Sequence, residues 1–200
     1  MSTAYEQHGR TAQKQRTRDA LVAAARELLA AGQEATVEAT ADAASVSRTT
    51  AYRYFPNQRS LIAASFPSSV AESLLPDDPP TDVEARLEVV LRAYHRQLLE
   101  AEVPLRASLR LSLDPASRED GSPLRTGRAI AWFAEALEPL RDELGDAGLR
   151  RLVHAIRSAV GIEALVWLVD VAGLTRRQAT NQMLWTAQTL LRGARSTEGG

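Results

Sequence analysis

Cysteine is absent from this 200-residue chain, and with it disulfides, a thiol nucleophile and thiolate metal sites. Histidine is nearly so. His8, His95 and His154 stand far apart, with no spacing that reads as a zinc or haem ligand set. Lysine occurs once, at Lys14, beside 23 arginines, a bias that reads as genome composition and not as selection for bidentate contacts. No run approaches the ~18 apolar residues of a membrane span, and the N-terminus is polar, so no membrane partner is expected and the expected location is the cytoplasm. For catalysis only Asp/Glu pairs would remain, and the acidic residues mostly punctuate helices. No catalytic residue, metal or cofactor is assigned.

What is present suits a packed protein. Hydrophobic residues make up 44% of the chain, ample for a core, and the length fits one large domain or a small one joined to a larger. Net charge is −1, which on its own says nothing about nucleic acid. Residues 1–18, however, hold Arg10, Lys14, Arg16 and Arg18 against Glu6 alone. Gly and Pro gather at 76–80, 114–123, 145–148 and 199–200, and there is no internal repeat.

Between Thr17 and Ala31, apolar Leu21, Ala24, Ala25, Leu28 and Leu29 share one helical face, and Gly32 is a natural stop. The Thr36 hydroxyl is placed to cap a second, short helix ending near Ala44. Ser47 is placed to cap a third, running from Arg48 to Phe55, where Pro56 closes it. A fourth helix starts near Gln58 with Leu61, Ile62 and Phe66, and Pro67 ends or kinks it. Helical spacing resumes at Val83, Leu87, Val90, Leu91, Tyr94 and Leu98. Further segments are predicted over about 104–113, 123–144, 147–172 and 175–194. The expected class is all-α, with about nine helices.

Two short helices joined by "ASVS" after a longer amphipathic one form a helix-turn-helix arrangement, whose second helix can enter the major groove. Residues 48–55 suit that task, with two arginines and three aromatic rings in one short stretch. Arg48 can reach guanine O6 and N7, and Thr49 offers a hydroxyl or a methyl. Thr50, Tyr52 and Tyr54 offer hydroxyls to phosphates or bases.

The stretch "TVEATADAASVSRTTAYRYFPNQRSLIAA" resembles the DNA-binding region of the TetR family of bacterial transcriptional regulators. The matching elements are Thr36, Ala41, Ala44, "VS" at 46–47, Thr50, Tyr52, "YF" at 54–55 and the Pro-Asn turn leading to Leu61, within about residues 17–66. The resemblance implies base contacts from Arg48, Thr49 and Tyr52, and phosphate contacts from Thr50, Tyr54 and the helix start at Thr36 and Val37. Ser47, Arg53, Asn57, Gln58 and Arg59 complete the candidate DNA-binding set. Three departures stand out. Ser45 occupies the turn position where the family usually has Gly, and carries strain if that turn needs positive φ. Thr40 and Ala51 replace larger aliphatic residues between the two short helices. Gln58 stands where the family often has Lys, with Arg59 next to it as a substitute of different geometry.

The resemblance further implies a reader joined to a sensor. The expected organisation is a flexible basic arm at 1–16, the helix-turn-helix domain at 17–57, a helical effector-binding and dimerisation domain at 58–195, and a flexible tail at 196–200. "EALVWLVDVAGLT" and the amphipathic helix behind it look like the family's dimerising pair. Candidate interface residues are Ile162, Leu165, Val166, Val169, Leu184, Trp185 and Leu191, some of which must instead fill the protomer's own core. Candidate effector residues are Phe66, Tyr94, His95, Leu98, Arg106, Leu109, Arg110, Trp132 and Phe133, which mix apolar bulk with a few polar groups. A lone His95 also fits a core histidine, and Trp132 with Phe133 also fit core packing. The expected partners are double-stranded DNA carrying a palindromic operator, a small-molecule effector of unknown identity, and a second copy of the chain. The expected role is a ligand-responsive repressor. The alternative is a helical ligand-binding or interaction protein whose DNA reader has weakened.

Overall fold

The computed structural model describes residues 4–66, 71–113 and 128–196, with the side chains of 4–10 and 128 left out. The described residues are helical and contain no strand, as the apolar spacing predicts. The helices are α1 (Ala4–Ala30), α2 (Val37–Ala43), α3 (Arg48–Tyr54), α4 (Gln58–Ala64), α5 (Val83–Glu100), α6 (Glu102–Leu113), α7 (Arg128–Leu137), α8 (Arg141–Val160), α9 (Ile162–Val166) and α10 (Arg176–Ser196). Pro67, the start of the helix expected from 123, and the tail beyond 196 lie outside the described residues.

The chain divides into two compact units, Met1–Ser68 with Val103–Arg125, and Ser69–Glu102 with Thr126–Gly200. In the first, α1 packs on α2 and α4, and α2 on α3. Leu21, Ala25, Leu29, Val37, Ala41, Phe55, Leu61 and Ile62 bury their side chains together, joined by Ala107 and Leu111 of α6. Each large aliphatic side chain so buried contributes roughly 1.5–3 kcal/mol. A cut at 57/58 would sever Leu61 and Ile62 from this cluster, so α4 falls with the first unit and not with the second.

Two local features differ from the sequence expectation. Most of the stretch expected to be a flexible arm is helical, because α1 begins at Ala4. Its exposed turns over 11–20 are rich in good helix formers and carry bonds from Gln15 to Asp19 (2.8 Å) and from Arg16 to Gln13 (2.7 Å). The long helix expected over 147–172 is interrupted at Gly161, which is extended (φ −88°, ψ −172°), and its last part, Trp167–Val171, is wound as a π-helix. The Arg157 guanidinium fills the space a Cβ at 161 would take and bridges to Glu163 at 3.5 Å. The break expected near 145 is present, with Gly145 left-handed at φ 64°.

In the second unit, α10 packs on α8, α5 and α9, while α7 bridges α5 and α8. Leu87, Leu91, Phe133, Ile156, Leu165 and Met183 are among its most deeply buried large side chains. Contrary to the expectation of no such run, the stretch Ala129–Val171 contains a window apolar and long enough, by length and composition alone, to cross a membrane. Its apolar groups have a use within the unit: Leu152, Val153, Ile156, Val160, Ile162 and Leu165 are all buried there.

Candidate nucleic-acid interface

Local side-chain chemistry shapes the pair of short helices. Thr36 Oγ1 accepts from the Ala39 amide at 3.0 Å and starts α2; Ser47 Oγ accepts from the Thr50 amide at 3.2 Å and starts α3. At the far end of α2, the Val46 amide donates to the Ala41 carbonyl (2.9 Å) and Ser45 to Asp42 (3.2 Å). That is a Schellman closure with its left-handed residue at Ser45, φ 54°, the one described non-glycine residue with positive φ. The turn therefore does need the conformation that Gly adopts without strain. Pro56 stops α3, with Phe55 extended at its end and buried in the domain core.

These closures leave one face of α3 outward. Arg48, Thr49, Tyr52 and Arg53 are exposed, Thr50 is half-buried, and Tyr54 packs partly against the core cluster. The Thr50 hydroxyl accepts from Ser47 Oγ at 2.8 Å. Tyr52 donates its hydroxyl proton to Glu38 Oε1, and one terminal nitrogen of Arg48 lies 3.2 Å from Asp42 Oδ2. The Tyr52 bond holds the Glu38 carboxyl below its usual range, and the same bond pushes the Tyr52 phenol up.

Other members of the expected DNA-binding set are placed less openly. Val37 is buried, which leaves only its main chain toward the outside. Asn57 is the cap of α4, its Oδ1 accepting from Ser60 at 2.8 Å. Gln58 is half-buried and donates to Glu34 at 3.5 Å. Arg59, the expected stand-in for a phosphate-binding Lys, is largely buried, at 9% exposed. Arg18 of the basic segment lies over the Phe55 ring, 5.7 Å from its centroid. Thr40 and Ala51, the two small substitutes between the helices, are both buried, and Thr40 Oγ1 has no hydrogen-bond partner among the described residues.

The candidate effector residues are divided between the two units. Phe66, Arg106, Leu109 and Arg110 belong to the first unit; there Arg106 and Arg110 line a recess of about 330 Å³ with Leu29, Gly32 and Val103. Tyr94, His95, Leu98, Trp132 and Phe133 belong to the second, and all five are buried. Tyr94 meets Phe133 edge-on at 5.3 Å and Trp132 at 6.5 Å, while the Trp132 indole donates to the Glu72 carbonyl at 3.1 Å. Those rings are interlocked packing. His95 differs, since it also walls an open groove of about 570 Å³ between α5 and α10, lined further by Arg92, Arg96, Leu99, Glu100, Thr180, Asn181 and Leu184. Burial lowers its pKa to about 4, so the ring is neutral near pH 7. Sequence reasoning missed Thr180 and Asn181 on the α10 side of this groove, because polar residues on a long helix carry no pattern of their own.

Of the expected interface residues, Ile162, Leu165 and Leu191 are buried inside the protomer and have no surface to offer a partner. Val166, Val169 and Leu184 are half-buried, and Trp185 is exposed. Two residues not singled out from sequence join it: Trp167 and Val171, exposed large apolar groups of the π-helical turns against which α10 packs.

Residues 21–65, from the apolar half of α1 to the end of α4, match the family model for bacterial regulatory proteins of the tetR family. No curated protein matches the chain. The matched span covers the capped pair α2–α3 and most of the core that holds it. Residues 21–65 are thus similar to the N-terminal domain of the TetR family of bacterial regulatory proteins, whose members are DNA-binding transcriptional regulators.

Proposed function

We propose that the protein is a ligand-responsive, sequence-specific transcriptional repressor that binds a palindromic operator as a homodimer and leaves it when a small molecule binds. One observation carries the reading: α3 is capped by Ser47, stopped at Pro56, and turns Arg48, Thr49, Tyr52 and Arg53 outward, as a helix entering the major groove must. The Ser47–Thr50 corner and the N-terminal turn of α2 are suited to phosphates, which fix register without reading sequence. Basic residues in the exposed turns of α1, Lys14 and Arg16, supply sequence-independent attraction.

Exposed Trp167, Val171 and Trp185 support a two-fold interface between copies, which the operator requires to present two α3 helices about 34–36 Å apart. For the effector, the groove beside His95 is favoured over the aromatic cluster, because it has open volume where the cluster has interlocked rings. A protein of this kind works in the cytoplasm.

Selection from a randomised duplex library tests this reading. An inverted-repeat sequence bound with a steep loss of affinity as salt rises is the expected result, since each neutralised phosphate adds about −0.9 to the slope of log K against log salt. A second reading, a helical ligand-binding protein with a weakened reader, is favoured by the strained Ser45 and the unpartnered Thr40 hydroxyl. Uniformly weak binding to every duplex would select it.

A further inference from the structure

Carboxylates on a face turned toward DNA repel phosphates, so their presence there calls for a reason. Both acidic residues of α2, Glu38 and Asp42, stand four apart, and each contacts a residue of α3 expected to read bases: Tyr52 and Arg48 respectively. The contacts are directional. A tyrosine hydroxyl has one proton to donate and lone pairs with which to accept, and an ionised carboxylate only accepts. With the Tyr52 proton given to Glu38, the hydroxyl oxygen keeps only its acceptor capacity. In the major groove the donors that can meet an acceptor are the amino groups of adenine (N6) and cytosine (N4); guanine N7 and O6 and thymine O4 are acceptors and would face it lone pair to lone pair.

We propose that Glu38 is a specificity-determining positioning residue: by holding the Tyr52 proton it makes Tyr52 an acceptor that selects an amino-bearing base, adenine or cytosine, at one position of each half-site. This rests on the regulator reading of α3. Two features keep the arrangement in force near neutral pH. The Glu38 carboxyl is held below its usual range and so stays ionised, and the Tyr52 phenol is raised and so stays protonated. Asp42 acts in parallel, occupying one terminal nitrogen of Arg48 and leaving its other donors for guanine or phosphate.

Binding-site selection with the wild type, Tyr52→Phe, Glu38→Ala and Glu38→Gln, each checked for native helicity and thermal unfolding, tests the assignment. Tyr52→Phe should flatten one base-pair preference per half-site, at which the wild type favours adenine or cytosine by roughly 5- to 10-fold. Glu38→Ala should lose or reverse that preference at the same pair only, because the freed proton can then be donated to guanine or thymine. Glu38→Gln should retain it, since the amide oxygen still accepts. Glu38→Met, which keeps the stem and loses both oxygens, should behave as Glu38→Ala and serves if the alanine variant folds poorly. An unchanged preference in the non-accepting variants overturns the inference. So does a Tyr52→Phe profile identical to wild type, or an affinity change equal for all sequences, which is a charge effect alone. A wild type that selects no sequence overturns the regulator reading as well.

Discussion

The Val46 amide donates to the Ala41 carbonyl at 2.9 Å, closing α2 across a serine in the left-handed region. This bond sets the turn that delivers Ser47 to the start of α3, so the backbone strain at Ser45 sits directly in the reader. A left-handed non-glycine residue costs roughly 1–2 kcal/mol, and glycine gives back about 0.4–1 kcal/mol through its looser unfolded chain. Ser45→Gly is therefore expected to stabilise the protein by about 0.5–1 kcal/mol, read as a higher urea midpoint at unchanged slope. A lowered midpoint would mean that the Ser45 side chain contributes more than its backbone costs.

The buried Thr40 hydroxyl gives a second, independent case. Thr→Val keeps the shape and removes a polar group that is 1% exposed and has no partner among the described residues. Relief of that desolvation is worth about 1–3 kcal/mol. Thr40→Val should raise the melting temperature, and by more than the same change at exposed Thr49. Equal or lower stability would place an ordered water or a shifted partner at Thr40.

How much of this was legible depends on the range of the interaction. The caps at Thr36 and Ser47 and the stop at Pro56 act over three residues, so composition and order alone reveal them. The left-handed turn at Ser45 was inferable only through the glycine expected there. Helix faces were harder. The segment 151–173 is apolar nearly all round and lacks the contrast that tells inside from outside, so Ile162 and Leu165 are buried while Trp167 and Val171, unremarked in sequence, are exposed. Arg59 illustrates the converse: charge suggests solvent, yet its long apolar stem lets α4 bury it beside Leu61 and Ile62.

His95 makes stability depend on pH. Its pKa falls from 6.5 unfolded to about 4 folded because burial disfavours the charged ring. Between those values the unfolded chain binds the extra proton, so stability is complete above about pH 6.5 and declines as pH falls toward 4. At pH 5 the loss from this group is about 2 kcal/mol, at 1.36 kcal/mol per pH unit. Urea midpoints at pH 7.5 and pH 5 should differ by less in His95→Leu than in the wild type. An equal difference would assign the acid sensitivity elsewhere.

The exposed apolar face predicts association. Trp167→Ser and Trp185→Ser each remove a large side chain that is more than half exposed in the protomer, at 58% and 57%. Either change is expected to weaken the dimer by at least tenfold in sedimentation equilibrium, with little effect on helix content. A wild-type protein that is monomeric at micromolar concentration, or a dimer indifferent to both changes, would remove this face from the interface.

Whether the outward face of α3 reads DNA sequence is tested most directly by fluorescence anisotropy. A selected palindromic duplex and a scrambled one are each titrated with the wild type and with Arg48→Ala. The wild type is expected to prefer the palindrome by at least 10³-fold, and Arg48→Ala to lose about 1–3 kcal/mol on it but much less on the scrambled duplex. Equal losses on both duplexes, or no wild-type preference, would contradict a reading role for α3.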